Sequence, residues 1–142
     1  MACPYFFPAA RLDQSSWAIP PRLPLGDAYG GECRAPASGP QPDEERVRQV
    51  CNVGYGRNCC ERFPQQAVVE AIRFHIVEDT NALLRIQYVL EKECWPAGNG
   101  LLECATESRA IRGADDEILR RQATAFVESY LRRKKQELAS GA

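Results

Sequence analysis

The sequence predicts an α+β chain: an irregular Pro/Cys-rich N-terminal segment with a short helix, then a three-stranded antiparallel meander packed by a C-terminal helix. Three observations carry that expectation. Eight of the ten prolines fall in residues 1–42. Apolar and polar residues alternate between Ile72 and Leu90, the period of a half-buried strand. Apolar residues recur at helical spacing from Leu119 to Tyr130. The division falls near residue 66. Residues 1–66 read as a Cys/Pro-rich cofactor-binding segment and residues 67–142 as a small antiparallel sheet plus C-terminal helix, forming one compact unit.

The front segment is poor ground for regular structure. Proline lacks an N–H and has a fixed φ, so long helices and central strands are disfavoured there. The segment nevertheless carries Tyr5, Phe6, Phe7, Trp17, Ile19, Leu23, Leu25 and Tyr29. Disordered segments lack such residues. An ordered coil that wraps the rest of the chain is expected, with residues 35–42 as a surface loop. Gly26-Asp-Ala-Tyr-Gly-Gly31 reads as a turn presenting Cys33.

A short helix follows Pro42. Asp43 suits its N-cap, and Glu44 and Glu45 suit the positive end of its dipole. Val47, Val50 and Cys51 share one face, and Gly54 supplies a left-handed stop. Ile72, Phe74 and Ile76, alternating with Arg73 and His75, predict the first strand of the meander. Residues 78–81 make a polar turn. Leu84, Ile86, Tyr88 and Leu90 predict the second strand, residues 95–100 a turn, and residues 101–106 the third. Asp115 is the expected N-cap of the last helix, whose stripe of Leu119, Ala123, Phe126 and Tyr130 should lie on the sheet.

Composition narrows the function classes. With 142 residues the chain can bury a core without metal or disulfides. Eighteen basic and nineteen acidic residues leave a net charge of −1, so no field is expected that would draw nucleic acid. Arg132–Lys135 reads as a solvated helix end. No hydrophobic run is long enough for a membrane span, and the start lacks the basic region and apolar core of a signal peptide. The cytoplasm is the expected location. No Gly-x-Ser-x-Gly, His-Glu-x-x-His or phosphate-loop pattern occurs, and the one histidine, His75, has no partner at fixed spacing. The sequence thus leans away from an enzyme.

The seven cysteines are the chemically informative residues. In a reducing compartment, clustered cysteines bind metal or do redox chemistry more often than they form structural disulfides. Cys3, Cys33, Cys51 and Cys60 are separated by 30, 18 and 9 positions, and no two form a Cys-x-x-Cys pair. Structural zinc sites take ligands in close pairs on knuckle turns. Single, dispersed cysteines suit an iron–sulfur cluster, where each iron takes one thiolate and the inorganic core spans the gap. A 4Fe–4S cluster on Cys3, Cys33, Cys51 and Cys60 is therefore expected, with Cys59 as the substitute for Cys60 and zinc as the alternative cofactor. Gly30, Gly31, Gly54 and Gly56 would allow close backbone approach. Phe6, Phe7, Tyr29, Tyr55 and Phe63 would exclude water. Cys94 and Cys104 read as small buried hydrophobes of the sheet. The expected role is redox, sensing or structural. The alternative is a non-enzymatic module that binds a protein partner and carries zinc or simply buried cysteines.

Overall fold

The structure, a computed structural model, describes residues 2–12, 25, 28–35, 42–56, 60–64 and 66–140. In chain order the elements are β1 (Phe6–Arg11), β2 (Tyr29–Cys33), α1 (Glu44–Arg46), a π-helical turn (Val47–Cys51), β3 (Ala71–Asp79), β4 (Leu83–Lys92), β5 (Trp95–Ala105), β6 (Ile111–Arg112) and α2 (Glu117–Ser140). The α+β class and the C-terminal helix packed on sheet are as expected. The strand count is not. The described strands form a two-stranded ribbon, β1–β2, and a four-stranded antiparallel sheet in the order β3-β4-β5-β6, rather than a three-stranded meander.

The ribbon replaces the expected coil and the expected turn before Cys33. A two-stranded ribbon has open edges, and Pro8 sits where the register slips between Pro8 and Ala10. Proline is tolerated at such bulges because no ladder N–H is needed from it. Gly31 makes the pairing possible. A Cβ there would stand 2.0 Å from the Phe7 carbonyl oxygen, so any side chain would push the two strands apart.

The large sheet is longer than periodicity suggests. The expected turn at residues 95–100 belongs to β5, where Pro96 pairs with Glu91 and Gly100 with Tyr88. The Tyr88 ring lies against Gly100, and a Cβ at that glycine would be 2.4 Å from the phenol oxygen. The actual reversal is the two-residue turn Glu93–Cys94, with φ of 51° and 66°. This matches the backbone twist of a tight hairpin without the usual Asn-Gly. Two side chains support it: Cys94 N–H donates to Tyr55 Oη at 2.9 Å, and Glu93 N–H to Glu70 Oε1 at 3.3 Å. Cys94 is consequently exposed, against the expectation of a buried residue, whereas Cys104 is fully buried.

Helix α2 starts one residue later than Asp115 suggests, because Asp116 Oδ1 accepts from Leu119 N–H at 2.9 Å. Its apolar face meets Phe74 of β3 through Phe126, with ring centroids 5.6 Å apart. Leu84, Ile86, Leu102 and Cys104, all at 0% exposure, form the core on the same side of the sheet. Each large aliphatic side chain there contributes about 1.5–3 kcal/mol by burial. The helix also grips the ribbon. Arg121 donates to the carbonyls of Pro8 and Ala9 at 2.5 and 2.7 Å. Tyr29 Oη donates to the Ala125 carbonyl at 2.8 Å and shares a 2.6 Å hydrogen bond with Ser129 Oγ. His75 faces away and is exposed, as its alternation predicts. Among the described residues no helix is long and apolar enough to cross a membrane.

Candidate metal centre

Four separate segments deliver the four cysteines. Cys3 is placed from two sides. Ala2 bridges to Ile72 of β3 through reciprocal backbone hydrogen bonds of 2.7 and 2.8 Å, and Cys3 N–H donates to the Cys51 carbonyl at 3.0 Å. Pro4 and Tyr5 then turn the chain, with Phe6 N–H returning to the Cys3 carbonyl at 3.1 Å. Gln122 of α2 locks this turn, donating its Nε2 to the carbonyls of both Cys3 and Phe6 at 2.8 Å.

The turn brings β1 alongside β2, where Phe6 pairs with Cys33. Cys33 therefore ends its strand opposite the turn that carries Cys3. Arg34 N–H donates to the Tyr5 carbonyl at 2.8 Å and closes that end of the ribbon.

Cys51 comes from the π-helical turn. Asp43 caps α1 as expected, its Oδ1 accepting from Arg46 N–H at 2.8 Å. Only one α-turn follows before the helix widens, and Asn52 N–H reaches back five residues to the Val47 carbonyl at 3.1 Å. The expected face of Val47, Val50 and Cys51 is buried, and Gly54 stops the turn at φ 85°. Cys60 follows in the next loop. Its N–H donates to the Gly56 carbonyl at 2.6 Å, and its own carbonyl accepts from Phe63 N–H at 3.1 Å. Gly56 sits tight against this site: a Cβ there would be 3.1 Å from Val50 Cγ1 and 3.2 Å from Cys60 Cβ. Cys59, the substitute ligand, lies outside the described residues.

The result is one pocket, with a cavity of about 20 Å³, that has Cys3, Cys33, Cys51 and Cys60 all in its wall. Apolar groups surround them: Tyr5, Phe6, Val50 and Phe63 among others. Tyr5 and Phe63 meet edge to face with centroids 5.7 Å apart. Of the five aromatic residues expected to form the shell, Phe6 and Phe63 do. Tyr29 is buried under α2, Tyr55 supports the β4–β5 hairpin, and Phe7 lies under the Arg34 guanidinium at 3.6 Å. Gly56 is the one expected glycine that touches the pocket wall; Gly31 serves the ribbon instead.

Burial pushes the thiols of Cys3 and Cys51 up to about 12, the neighbouring cysteines adding to the effect by charge repulsion. Cys33 and Cys60 act electrostatically on both. Without a bound cation, then, the two deep cysteines are neutral thiols. No disulfide joins the described cysteines. Among the described residues no group of three or more His, Cys, Asp or Glu side chains is arranged to hold a metal ion.

Two cations complete the wall, Arg46 and Arg62. Arg46 pairs with Glu61 at 3.6 Å. Among the described residues the lining contains no carboxylate. Sequence reasoning missed Arg62, Asn52 and Gln122. Asn52 and Gln122 are buried polar residues whose partners are backbone groups 23 and more than 100 positions away, and no local pattern announces such partners. No family model, curated protein or solved structure matches the chain.

Proposed function

We propose that this chain is a small iron–sulfur protein that holds a 4Fe–4S cluster on Cys3, Cys33, Cys51 and Cys60. The observation that carries the reading is that four thiols, drawn from four dispersed segments, line one pocket whose other walls are apolar apart from Arg46 and Arg62. The donor set fits the group: four soft thiolates, one for each iron. Four cysteines from dispersed segments suit a polynuclear core, where each iron takes one thiolate, better than a single zinc ion with closely paired ligands. The apolar wall would limit solvent access, and Gly56 would leave its backbone free to approach the sulfurs.

When bound, such a group stores and releases single electrons. The chain's own contribution is to bring the ribbon, the π-helical turn and the loop at Cys60 to one place and to keep water from them. Loading must displace the protons of Cys3 and Cys51, so binding and folding of the front segment are coupled. That coupling favours a stapling or sensing role, in which loss of the cluster frees the ribbon from the helical turn. A structural zinc ion or simply buried thiols, in a module that binds a protein partner, is the second reading.

Anaerobic reconstitution of the full chain with ferrous iron and sulfide tests it. The expected product is brown, with broad visible thiolate-to-iron absorption and about four irons and four sulfides per chain. Cys3→Ser, Cys33→Ser, Cys51→Ser and Cys60→Ser should each lose most of the colour, while Cys94→Ser keeps it. A colourless product, or one that takes up stoichiometric zinc and no iron, refutes the cluster.

A further inference from the structure

Among the described residues, the second cation of the pocket has no anion to meet. Arg62 lines the cysteine pocket, and its Nη1 is buried with no hydrogen-bond partner. A guanidinium stays protonated at every physiological pH. Arg62 is half-buried overall, and its desolvated Nη1 end favours an anionic acceptor. Arg46 already has Glu61, and among the described residues the pocket wall offers no carboxylate. Among the described residues of the wall, the acidic side chains that could face Arg62 are the four cysteines, which give up their protons on binding a cationic core.

We infer that Arg62 is the counter-charge of the cluster, donating Nη1 to its sulfur face and raising its reduction potential. The inference rests on the cluster reading above. Four thiolates on an iron–sulfur core leave a net negative site. One-electron reduction by a low-potential external donor adds a further negative charge to the core and breaks no bond. A buried positive charge stabilises the reduced state more than the oxidised one. Hydrogen bonds to cluster sulfurs act in the same direction. Arg62 is thus a tuning residue, reaching the electron only through the cluster's field.

Anaerobic potentiometric titration of the reconstituted full chain, followed by visible absorption, tests this with Arg62→Gln and Arg62→Lys. The potential should fall in Arg62→Gln and fall less in Arg62→Lys, which keeps the charge but loses the planar fork. Arg85→Gln, on the far face of the sheet between Glu78 and Glu103, should leave it unchanged. Reduced loading in the Arg62 variants with the wild-type potential would assign Arg62 a purely structural part and overturn the inference while sparing the cluster. If Arg62→Gln does not load, the Arg62→Lys potential decides alone. A wild-type chain that stays colourless overturns both readings.

Discussion

Asn52 and Tyr29 are joined in both directions: Tyr29 N–H donates to Asn52 Oδ1 at 3.0 Å, and Asn52 Nδ2 donates to the Tyr29 carbonyl at 2.9 Å. The same Nδ2 also reaches the Val47 carbonyl at 2.8 Å. Asn52 is fully buried, one residue after Cys51, and Tyr29 opens the strand that ends at Cys33. One amide therefore fixes the distance between the segments that carry two of the four pocket cysteines. Its planar pairing with a backbone residue imitates a step of β-ladder.

Removing that amide should cost more than an average surface change. Asn52→Leu leaves the Tyr29 N–H, the Tyr29 carbonyl and the Val47 carbonyl with their side-chain partner gone. The Val47 carbonyl keeps the Asn52 backbone N–H, and each of the two lost Tyr29 bonds costs about 1–3 kcal/mol, so a loss on the order of 3 kcal/mol is expected in urea unfolding of the metal-free, reduced protein. Asn52→Asp should also destabilise, since it replaces the donor that serves both carbonyls with an acceptor. A loss under about 1 kcal/mol for Asn52→Leu would mean that the ribbon and the helical turn are held by other contacts.

Gly31 is a second point where the pocket depends on the ribbon. Gly31→Ala places a methyl 2.0 Å from the Phe7 carbonyl oxygen, and backbone cannot rotate away as a side chain can. Overpacking of this kind costs about 1–3 kcal/mol, and the upper end is expected here. Because Cys33 lies two residues on, iron uptake should fall as well. Gly98→Ala is the matched control: its nearest neighbour would be Leu90 Cδ1 at 3.5 Å, an ordinary contact. Equal melting temperatures for the two variants would show that β1 and β2 do not hold the observed register in solution.

The two deep thiols set an alkaline limit for the metal-free protein. Desolvation raises Cys3 and Cys51 from 9.0 to about 12 in the fold. The unfolded chain gives up these protons near pH 9 and the folded chain does not. The stabilising effect is therefore complete below about pH 9 and is lost as pH rises toward 12. Chemical-denaturation midpoints of the reduced apoprotein should fall over that window, and Cys3→Ser/Cys51→Ser should flatten the fall. Loading runs the opposite way. Thiols must release protons to bind, so iron uptake should strengthen from pH 6 to pH 8. Uptake independent of pH would mean that ligands other than these thiols bind the iron.

The fold was readable where local period and burial agree. Ile72, Phe74, Leu84 and Ile86 alternate and are buried, and α2 is the amphipathic helix its stripe predicts. Reading failed where pairing overrides local chemistry. Pro96, Gly98 and Gly100 look like a turn, yet they lie in β5 because Tyr88 and Leu90 of β4 cover them. Pro8 looks like coil, yet a bulge in an edge ribbon accommodates it. The four cysteines stand out in the sequence because their residue type is rare and their gaps are long, and Cys3, Cys33, Cys51 and Cys60 line one pocket. The residues that hold it together were not legible. Gln122 sits on the margin of a helical stripe and Asn52 beside a helix end, and each owes its role to backbone groups brought in from far along the chain.

Acid should loosen the opposite end of the molecule. Asp79, at the end of β3, accepts from Lys134 Nζ and from Tyr130 Oη, both at 2.7 Å, and from Asn81 N–H through its other oxygen at 2.9 Å. The Lys134 hydrogen bond, with that of Tyr130 next, holds the Asp79 carboxyl down at about 2 from an ordinary 3.8. A depressed carboxyl stabilises the fold above its unfolded value, and that contribution is lost as pH falls through the folded one. The window is therefore about pH 4 down to about pH 2. In that window the far end of α2 should detach from the β3–β4 turn before the core opens. Amide hydrogen exchange along residues 130–138 should accelerate between pH 4 and pH 2 relative to residues 119–127, after correction for the intrinsic pH dependence of exchange. Lys134→Met should show the faster exchange already at pH 6, and Asp79→Asn should remove most of the acid response. An Asp79→Asn protein with the wild-type acid profile would place the titrating group elsewhere and leave the Asp79–Lys134 pair without a part in acid stability.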